Sequence, residues 1–344
     1  MIRLLWGILP ALIASSLALL AEESKIEISL PTDNDALFRG GGPEFYQYIE
    51  RDFHGEKSTP WEGGRYGFVR NPVSTAEGLI YTRFHEGIDI RCLHRDARGE
   101  PLDDVRAIAD GRVVHANQVP GYSNYGRYLV VEHDWDGSSY YSLYGHLSEI
   151  AVIVGQRVNR GERIARMGYT GEGLTQARAH LHLELNLILN RNFESWHDRF
   201  FRDPNHNGIY NGINLAGIDI ARFFLEHEKR PDLTVPQFLA EEDVFYKIAV
   251  PDSPHFDLRK FYPWMVKGTG SANAKSWEVS FARSGVPLAL EARAEPVTQP
   301  TLTYVKKTAI NCAYLTRGEL SGMGEHAHLT ENGMRSMQLL TWPE

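Results

Sequence analysis

Cysteine is nearly absent: the 344-residue chain has two, Cys92 and Cys312. That excludes a disulfide-dense scaffold and a cysteine-ligated zinc finger. Positive charge is not in excess either. Lys and Arg number 36 against 44 Asp and Glu, the net charge is −8, and there is no basic run. Such a balance argues against a nucleic-acid partner. Long apolar runs are missing beyond the N-terminus, which excludes a polytopic membrane protein. Repeats and low-complexity tracts are missing too. What is present is 42% apolar and 23% charged residues, a composition that builds a packed core and excludes wholesale disorder. The length suggests two compact units or one large one.

At the N-terminus, Arg3 precedes an apolar run over residues 4–21 that is interrupted by Pro10, Ser15 and Ser16. A charge, an apolar segment and then small residues form the pattern of a secretory signal over residues 1–21, with cleavage after Ala21 or Ala18. No cysteine lies near that point to carry a lipid anchor. The alternative is an uncleaved helix retained in the membrane. The expectation is an exported protein of the periplasm or cell envelope, with no stable membrane span after cleavage. Export allows a Cys92–Cys312 bridge, which sequence does not separate from two free thiols.

The remainder divides into three stretches. Residues 22–64 are mixed and contain a Gly run at 40–42. Residues 65–189 are dense in short β-type runs. Three turn signals, Asp110-Gly111, Asp136-Gly137 and Asn159-Arg160-Gly161, lie between such runs and predict consecutive hairpins, hence antiparallel sheet. From 190 to 344 the pattern is mixed. A helix is expected over 214–228, Thr234 with Gln237 forms a capping box for another, and strands return at 277–282 and 286–292. The expected fold is mainly β, an antiparallel two-sheet β-sandwich-like core followed by an α+β C-terminal region of unknown role.

The chemistry concentrates in two segments of the β core. His180-Leu181-His182-Leu183-Glu184-Leu185-Asn186-Leu187 alternates without a break. On a strand, side chains alternate between faces, so four leucines point into a core. His180, His182, Glu184 and Asn186 point the other way. Two imidazoles about 7 Å apart on one strand face can converge on a metal ion, or they can simply belong to a solvent-exposed polar face. His85-Glu86-Gly87-Ile88-Asp89, if extended, puts His85, Gly87 and Asp89 on one face, with Gly87 leaving room for an ion near the backbone. A His and an Asp from this segment with one His from the other make a two-His-one-carboxylate set. That set suits a catalytic zinc ion with a fourth position open. Tyr144-Gly145-His146-Leu147 ends the second predicted hairpin. With Asp136-Gly137 as the turn, His133 pairs with Tyr140 and lies about 20 Å along the ladder from His146, so both cannot serve one ion. His133 is expected to be structural or on the surface.

These residues carry a family resemblance. His85-x-x-x-Asp89, Tyr-Gly-His146-Leu and His180-x-His182, in this order, together with the surroundings of Phe84–Ile90 and the 155–168 stretch, resemble the lysostaphin-type (LytM-domain) zinc metallopeptidases over residues 64–189. Three ordered motifs make a specific signal where one alone is weak. The resemblance implies a zinc metallopeptidase core over 65–189 that cleaves peptide bonds in the cross-links or stem peptides of peptidoglycan. It implies Zn²⁺ on His85, Asp89 and His182, with His146 and His180 as non-ligand catalytic histidines. It leaves residues 22–64 as an occluding pro-segment or as padding. No motif position is missing, which matters because some relatives have lost ligands and act as activators of other wall hydrolases. A non-catalytic wall-binding or activating module on the same fold is the alternative.

Weaker features remain. Asp203, Asn205, Asn207 and Gly208 fit the start of a calcium loop, but Asn214 stands where the pattern needs a bidentate Glu, and a turn rich in Asx hydrogen bonds accounts for them equally. His326-Ala327-His328 repeats the spacing of the histidine strand without a partner motif and is expected to be exposed. Cys92 is expected in a disulfide or as a buried thiol. The 155–165 stretch resembles half of a biotinyl or lipoyl carrier motif, but no Lys occurs between Lys57 and Lys229, so there is no attachment point.

Overall fold

The computed structural model describes residues 25–268 and 273–343. The expected export signal lies outside the described residues. No helix among the described residues is long and apolar enough to cross a membrane. In the N-terminal stretch, α1 (Gly42–Phe45) and a small hairpin of β1 (Arg51–Phe53) and β2 (Glu56–Ser58) lead into a longer hairpin of β3 (Gly67–Thr75) and β4 (Gly78–His85). Tyr46 forms an isolated antiparallel bridge with Ile90, and Phe45 is fully buried.

The core follows in chain order as β5 (Ile88–Arg91), β6 (Asp104–Arg106), β7 (Gly111–Asn117), β8 (Arg127–Trp135), β9 (Ser138–Leu147), β10 (Glu149–Ile150), β11 (Arg157–Val158), β12 (Arg163–Arg166) and β13 (His180–Ile188). A seven-stranded sheet has the order β11-β7-β8-β9-β13, then β14 (Leu215–Ile218), with β5 on the same edge of β13 as β14. A three-stranded sheet, β10-β12-β6, lies apart from it. Leu181, Leu183, Leu185 and Leu187 of β13 share one core with Val105 of β6 and Ile164 and Ala165 of β12. All four leucines are fully buried, each contributing about 2 kcal/mol of apolar burial. The fold is mainly β, with an antiparallel two-sheet core, as the strand patterning predicts.

Two of the three expected hairpins are not hairpins. Asp136-Gly137 does turn β8 into β9, with φ of 53° and 68°, the left-handed pair that a type I′ turn requires. Asp110-Gly111 instead joins β6, paired with β12, to β7, paired with β8 and β11. It is a corner between sheets, where the Asp110 carbonyl accepts from His133 Nδ1 at 2.8 Å and its carboxylate from the Arg160 N–H at 2.7 Å. Asn159-Arg160-Gly161 likewise separates β11 from β12, which lie in different sheets. A turn dipeptide reverses the chain, but partners elsewhere decide which strands then pair.

The helix expected over 214–228 starts later. Leu215–Ile218 is β14, paired with β13, and α3 (Ile220–Lys229) begins after Asp219, whose side chain caps the Arg222 N–H. Before it, α2 (Phe193–Phe200) follows β13. Beyond α3, α4 (Val235–Ala240) has the expected capping box of Thr234 and Gln237. The C-terminal region then forms β15 (Tyr246–Pro251), α5 (Asp257–Phe261), β16 (Val266–Lys267), β17 (Ser276–Phe281), β18 (Pro287–Arg293), β19 (Thr301–Val305) and α6 (Glu331–Leu339). Its sheet has the order β16-β18-β17-β15-β19 and is antiparallel except for β16–β18. Because β14 joins the core sheet, residues past 189 complete that sheet. Cys92 and Cys312 are free and buried. The Cys92 thiol donates to Asp103 Oδ2 at 3.0 Å.

Candidate metal centre

Five side chains predicted from sequence come together at one end of β13. The register pairs His182 with Asp89 on one side and with Gly145 on the other. Strand β13 therefore lies between the segment that carries His85 and Asp89 and the segment that carries His146. Ligand atoms of His85, Asp89 and His182 lie within 4.8 Å of one another. His85 Nε2 is 3.1 Å from Asp89 Oδ1 and 3.1 Å from His182 Nδ1, and His182 Nδ1 is 3.0 Å from Asp89 Oδ1. His180 Nε2 lies 3.3 Å from the same Asp89 oxygen. The His146 ring centroid is 4.8 Å from that of His180 and 5.7 Å from that of His182.

The path from β4 to β5 differs from the extended segment expected. The chain bends at Glu86-Gly87 between the two strands, so His85 and Asp89 reach one point across a turn. Nor does Gly87 clear space for an ion. A Cβ there would lie 2.3 Å from the Leu183 carbonyl, so glycine is required because the β13 backbone passes against it.

Each imidazole is oriented by an oxygen acceptor outside the cluster. His85 Nδ1 donates to the Arg65 carbonyl at 2.8 Å, His146 Nδ1 to the Thr170 carbonyl at 2.8 Å and His180 Nδ1 to the Arg178 carbonyl at 2.7 Å. His182 is turned the other way, with Nε2 on Glu184 Oε1 at 2.8 Å. A carbonyl only accepts, so the ring nitrogen facing it carries the proton, and Nε2 of His85, His146 and His180 is the nitrogen left with a lone pair. His182 presents Nδ1 to the cluster. Nitrogen lone pairs and one carboxylate facing a common point, without thiolate, form a donor set that fits a divalent zinc ion. The carboxylate-to-imidazole contact behind His182 is the usual support of a ligating histidine.

The electrostatics fit a cation. Burial pushes the Asp89 carboxyl up, but His85, His180 and Arg70 outweigh it and hold the group well below the usual carboxylate range. Arg70 Nη2 donates to Asp89 Oδ2 at 2.6 Å, which leaves Oδ1 facing the imidazoles. Burial opposes charge on His182, yet its hydrogen bonds to Asp89 and Glu184 raise it to about 9. The two carboxylates around this ring favour positive charge, which a metal ion supplies in place of a proton. Burial lowers His85, and burial with neighbouring His180 and His182 lowers His146 well below the ordinary range. Both shifts favour the neutral ring.

The polar face of β13 is not solvent-exposed. His180, His182, Glu184 and Asn186 are all buried, Glu184 to 1% exposure. Asn186 Nδ2 donates to Glu184 Oε2 at 2.9 Å, and the Tyr125 hydroxyl also bonds Glu184. The Tyr125 ring lies 5.3 Å from that of His182. Sequence reasoning placed Glu184 on the correct face but gave it no role. The signal was its i+2 position after His182. Arg70, Tyr125 and the carbonyls of Arg65, Thr170 and Arg178 had no local signal.

Other candidates fall outside the centre. His133 is fully buried, between the Asp110 carbonyl and Ser142 Oγ at 2.7 Å, and pairs with Tyr140 as expected. It is structural rather than on the surface. In the 203–214 loop, Asn205 bonds Glu194 and the Gly208 carbonyl, and Asn207 bonds the Tyr122 carbonyl. These side chains are occupied in turn and packing contacts. His326 and His328 are exposed, and neither belongs to a potential metal group among the described residues.

Residues 83–193 match peptidase family M23. This stretch is an M23 peptidase domain, of the lysostaphin type that the motifs resemble. Two curated relatives show contrasting names. The chain is 44% identical over 87 residues to the peptidoglycan DD-endopeptidase ShyB of Vibrio cholerae, covering 25% of this chain and 18% of that protein. It is 42% identical over 82 residues to the murein hydrolase activator EnvC of Escherichia coli, covering 24% and 17%. The chain thus spans less than a fifth of the length of either. Among solved structures, the catalytic domain of the antimicrobial peptidase lysostaphin from Staphylococcus simulans is 28% identical, with 36% of this chain and 82% of that chain covered and a TM-score of 0.25.

Proposed function

We propose that this protein is an exported zinc metalloendopeptidase that hydrolyses peptide bonds in the cross-links or stem peptides of bacterial peptidoglycan. The observation that carries the reading is the complete donor set: His85, Asp89 and His182 converge, and His146 and His180 face the same point with oriented rings. His85, Asp89 and His182 would hold the metal. Zinc held there would supply Lewis acidity, polarising the scissile carbonyl and lowering the pKa of water to about 7. His146, kept neutral by burial, takes a proton at Nε2 and returns it to the leaving amine. His180, when protonated on both ring nitrogens, donates from Nε2 to the developing oxyanion. Glu184 and Arg70 position His182 and Asp89. Tyr46 and Gln47, in the stretch before the core, brace the strand of Asp89, a role supported by the Gln47 N–H donating to the Asp89 carbonyl at 2.8 Å and by the Tyr46–Ile90 bridge.

The second reading, a non-catalytic activator of another wall hydrolase, is favoured by the name of the relative EnvC. One experiment separates the two. Mature protein is incubated with purified peptidoglycan, with and without chelator, and newly freed amino groups are identified. The peptidase reading expects chelator-sensitive release by this protein alone. Release only after a second hydrolase is added would establish the activator instead.

A further inference from the structure

The carbonyls that orient His146 and His180 both belong to one loop, residues 169–179, between β12 and β13. Thr170 supplies one and Arg178 the other. The loop contains Gly171 and Gly173, both at positive φ, and only the short helical turn Gln176–Arg178 is regular. A second segment, residues 95–101 between β5 and β6, grips it at three places. Glu100 Oε1 accepts from the Tyr169 hydroxyl at 3.1 Å and from Gln176 Nε2 at 2.6 Å. Arg95 Nη1 donates to the Gln176 carbonyl at 2.6 Å, and Nη2 to the Ala177 carbonyl at 3.3 Å. Tyr169 immediately precedes Thr170, and Ala177 immediately precedes Arg178. The grip therefore falls one residue from each orienting carbonyl.

The gripping segment is itself braced. Arg95 and Pro101 form an antiparallel bridge, and the Asp96 carboxylate accepts from the N–H groups of Arg98 and Glu100 at 2.8 and 2.9 Å. At its base the Asp103 carboxylate accepts from the Leu93 and His94 N–H groups and from the Cys92 thiol. Gly99 approaches the Gln176 side chain so closely that a Cβ would lie 3.2 Å from Oε1. Asp103 thus fixes the stem, Asp96 the tip, and the tip holds the loop.

We infer that Glu100 is a positioning residue for the catalytic histidines: with Arg95 it fixes the 169–179 loop, and through the Thr170 and Arg178 carbonyls it sets the ring orientation of His146 and His180. Neither residue touches the metal-binding side chains. The kinetic consequence rests on the peptidase reading above, whereas the ring orientation follows from the hydrogen bonds alone. Misplacing a catalytic group by about 1 Å costs on the order of a hundredfold in rate.

The test uses the full mature chain loaded with zinc and labelled with ¹⁵N-histidine. Glu100→Ala is expected to keep its zinc content and KM, to lose roughly ten- to a hundredfold in kcat, and to broaden or shift the Nδ1 resonances of His146 and His180 but not that of His85. Glu100→Gln, which keeps the accepting oxygen, restores both readouts. Tyr169→Phe removes one hydroxyl and gives a smaller change in the same direction, and it decides the matter if Glu100→Ala does not fold. Unchanged His146 and His180 resonances in Glu100→Ala and Tyr169→Phe would overturn the inference, as would equal shifts at all histidines with zinc loss. If wild-type protein releases no amino groups from peptidoglycan, the peptidase reading fails while the resonances still decide the positioning role.

Discussion

The chain contains the pattern His-x-His twice, and the two copies differ in everything but spacing. His180 and His182 are buried on β13, each ring nitrogen has a partner, and the Asp89 carboxylate lies between them. His326 and His328 are exposed, and His328 Nδ1 reaches the His326 carbonyl at 2.9 Å. Spacing along one strand brings two imidazoles to one face. A metal centre needs more: a second chain segment that supplies a carboxylate, and acceptors that turn each lone pair inward. At the first pair the tertiary structure provides both.

The largest expected break in this comparison is His182→Ala, which should abolish zinc binding and turnover together, whereas His328→Ala should leave both at wild-type levels. Metal content by mass spectrometry and amino-group release from peptidoglycan check the pair. Zinc loss in both variants would remove the distinction. Next in size, His146→Ala should keep its zinc and lose about 10²- to 10⁴-fold in kcat, the usual worth of a general base. Equal zinc loss in His146→Ala and His182→Ala would contradict the assignment of roles. Glu184→Gln tests the support behind His182 and should weaken zinc affinity about 10- to 100-fold, measured by competition with a chromogenic chelator. An unchanged affinity would make the Glu184 contact incidental.

The smallest effect concerns a histidine that the fold keeps away from the His85, Asp89 and His182 cluster. Burial lowers His133 from its ordinary value to about 4, against the opposing hydrogen bond to the Asp110 carbonyl. The folded state holds this ring neutral, while the unfolded chain takes up a proton near pH 6.5. Its contribution is therefore full above pH 6.5 and is lost as pH falls towards 4, by about 3 kcal/mol in all. Urea unfolding of wild type and His133→Gln at pH 7 and pH 4 should show a smaller loss of stability in the variant. Equal losses would show that the ring is not held neutral by burial.

Much of the centre was legible before any coordinates. Unbroken alternation in β13 announced one apolar and one polar face, and Leu181 to Leu187 do enter the core. The Asp136-Gly137 hairpin fixed the register that separates His133 from His146. Other parts were misread for a common reason. Asp110-Gly111 carries the same turn signal as Asp136-Gly137 yet serves as a corner, because β6 pairs with β12 and β7 with β8. Leu215–Ile218 has a helical pattern of apolar residues yet pairs with β13. Its apolar residues suit a buried strand as well as a helix face, and the free edge of β13 decides between them.

By itself, the sequence determined that His180, His182, Glu184 and Asn186 share one face of β13, because side-chain alternation is a local property of an extended backbone. It also narrowed the class of ion such donors could take, since imidazole and carboxylate without thiolate are chemistry rather than geometry. Only the tertiary structure decided that the strand of His182 runs between the segments of Asp89 and His146. It alone placed the Arg65, Thr170 and Arg178 carbonyls against three of the rings, and Glu100 against the loop that carries two of those carbonyls. Apart from the Arg178 carbonyl, two residues before His180, such contacts join residues far apart in the chain, and no local preference of either partner encodes them.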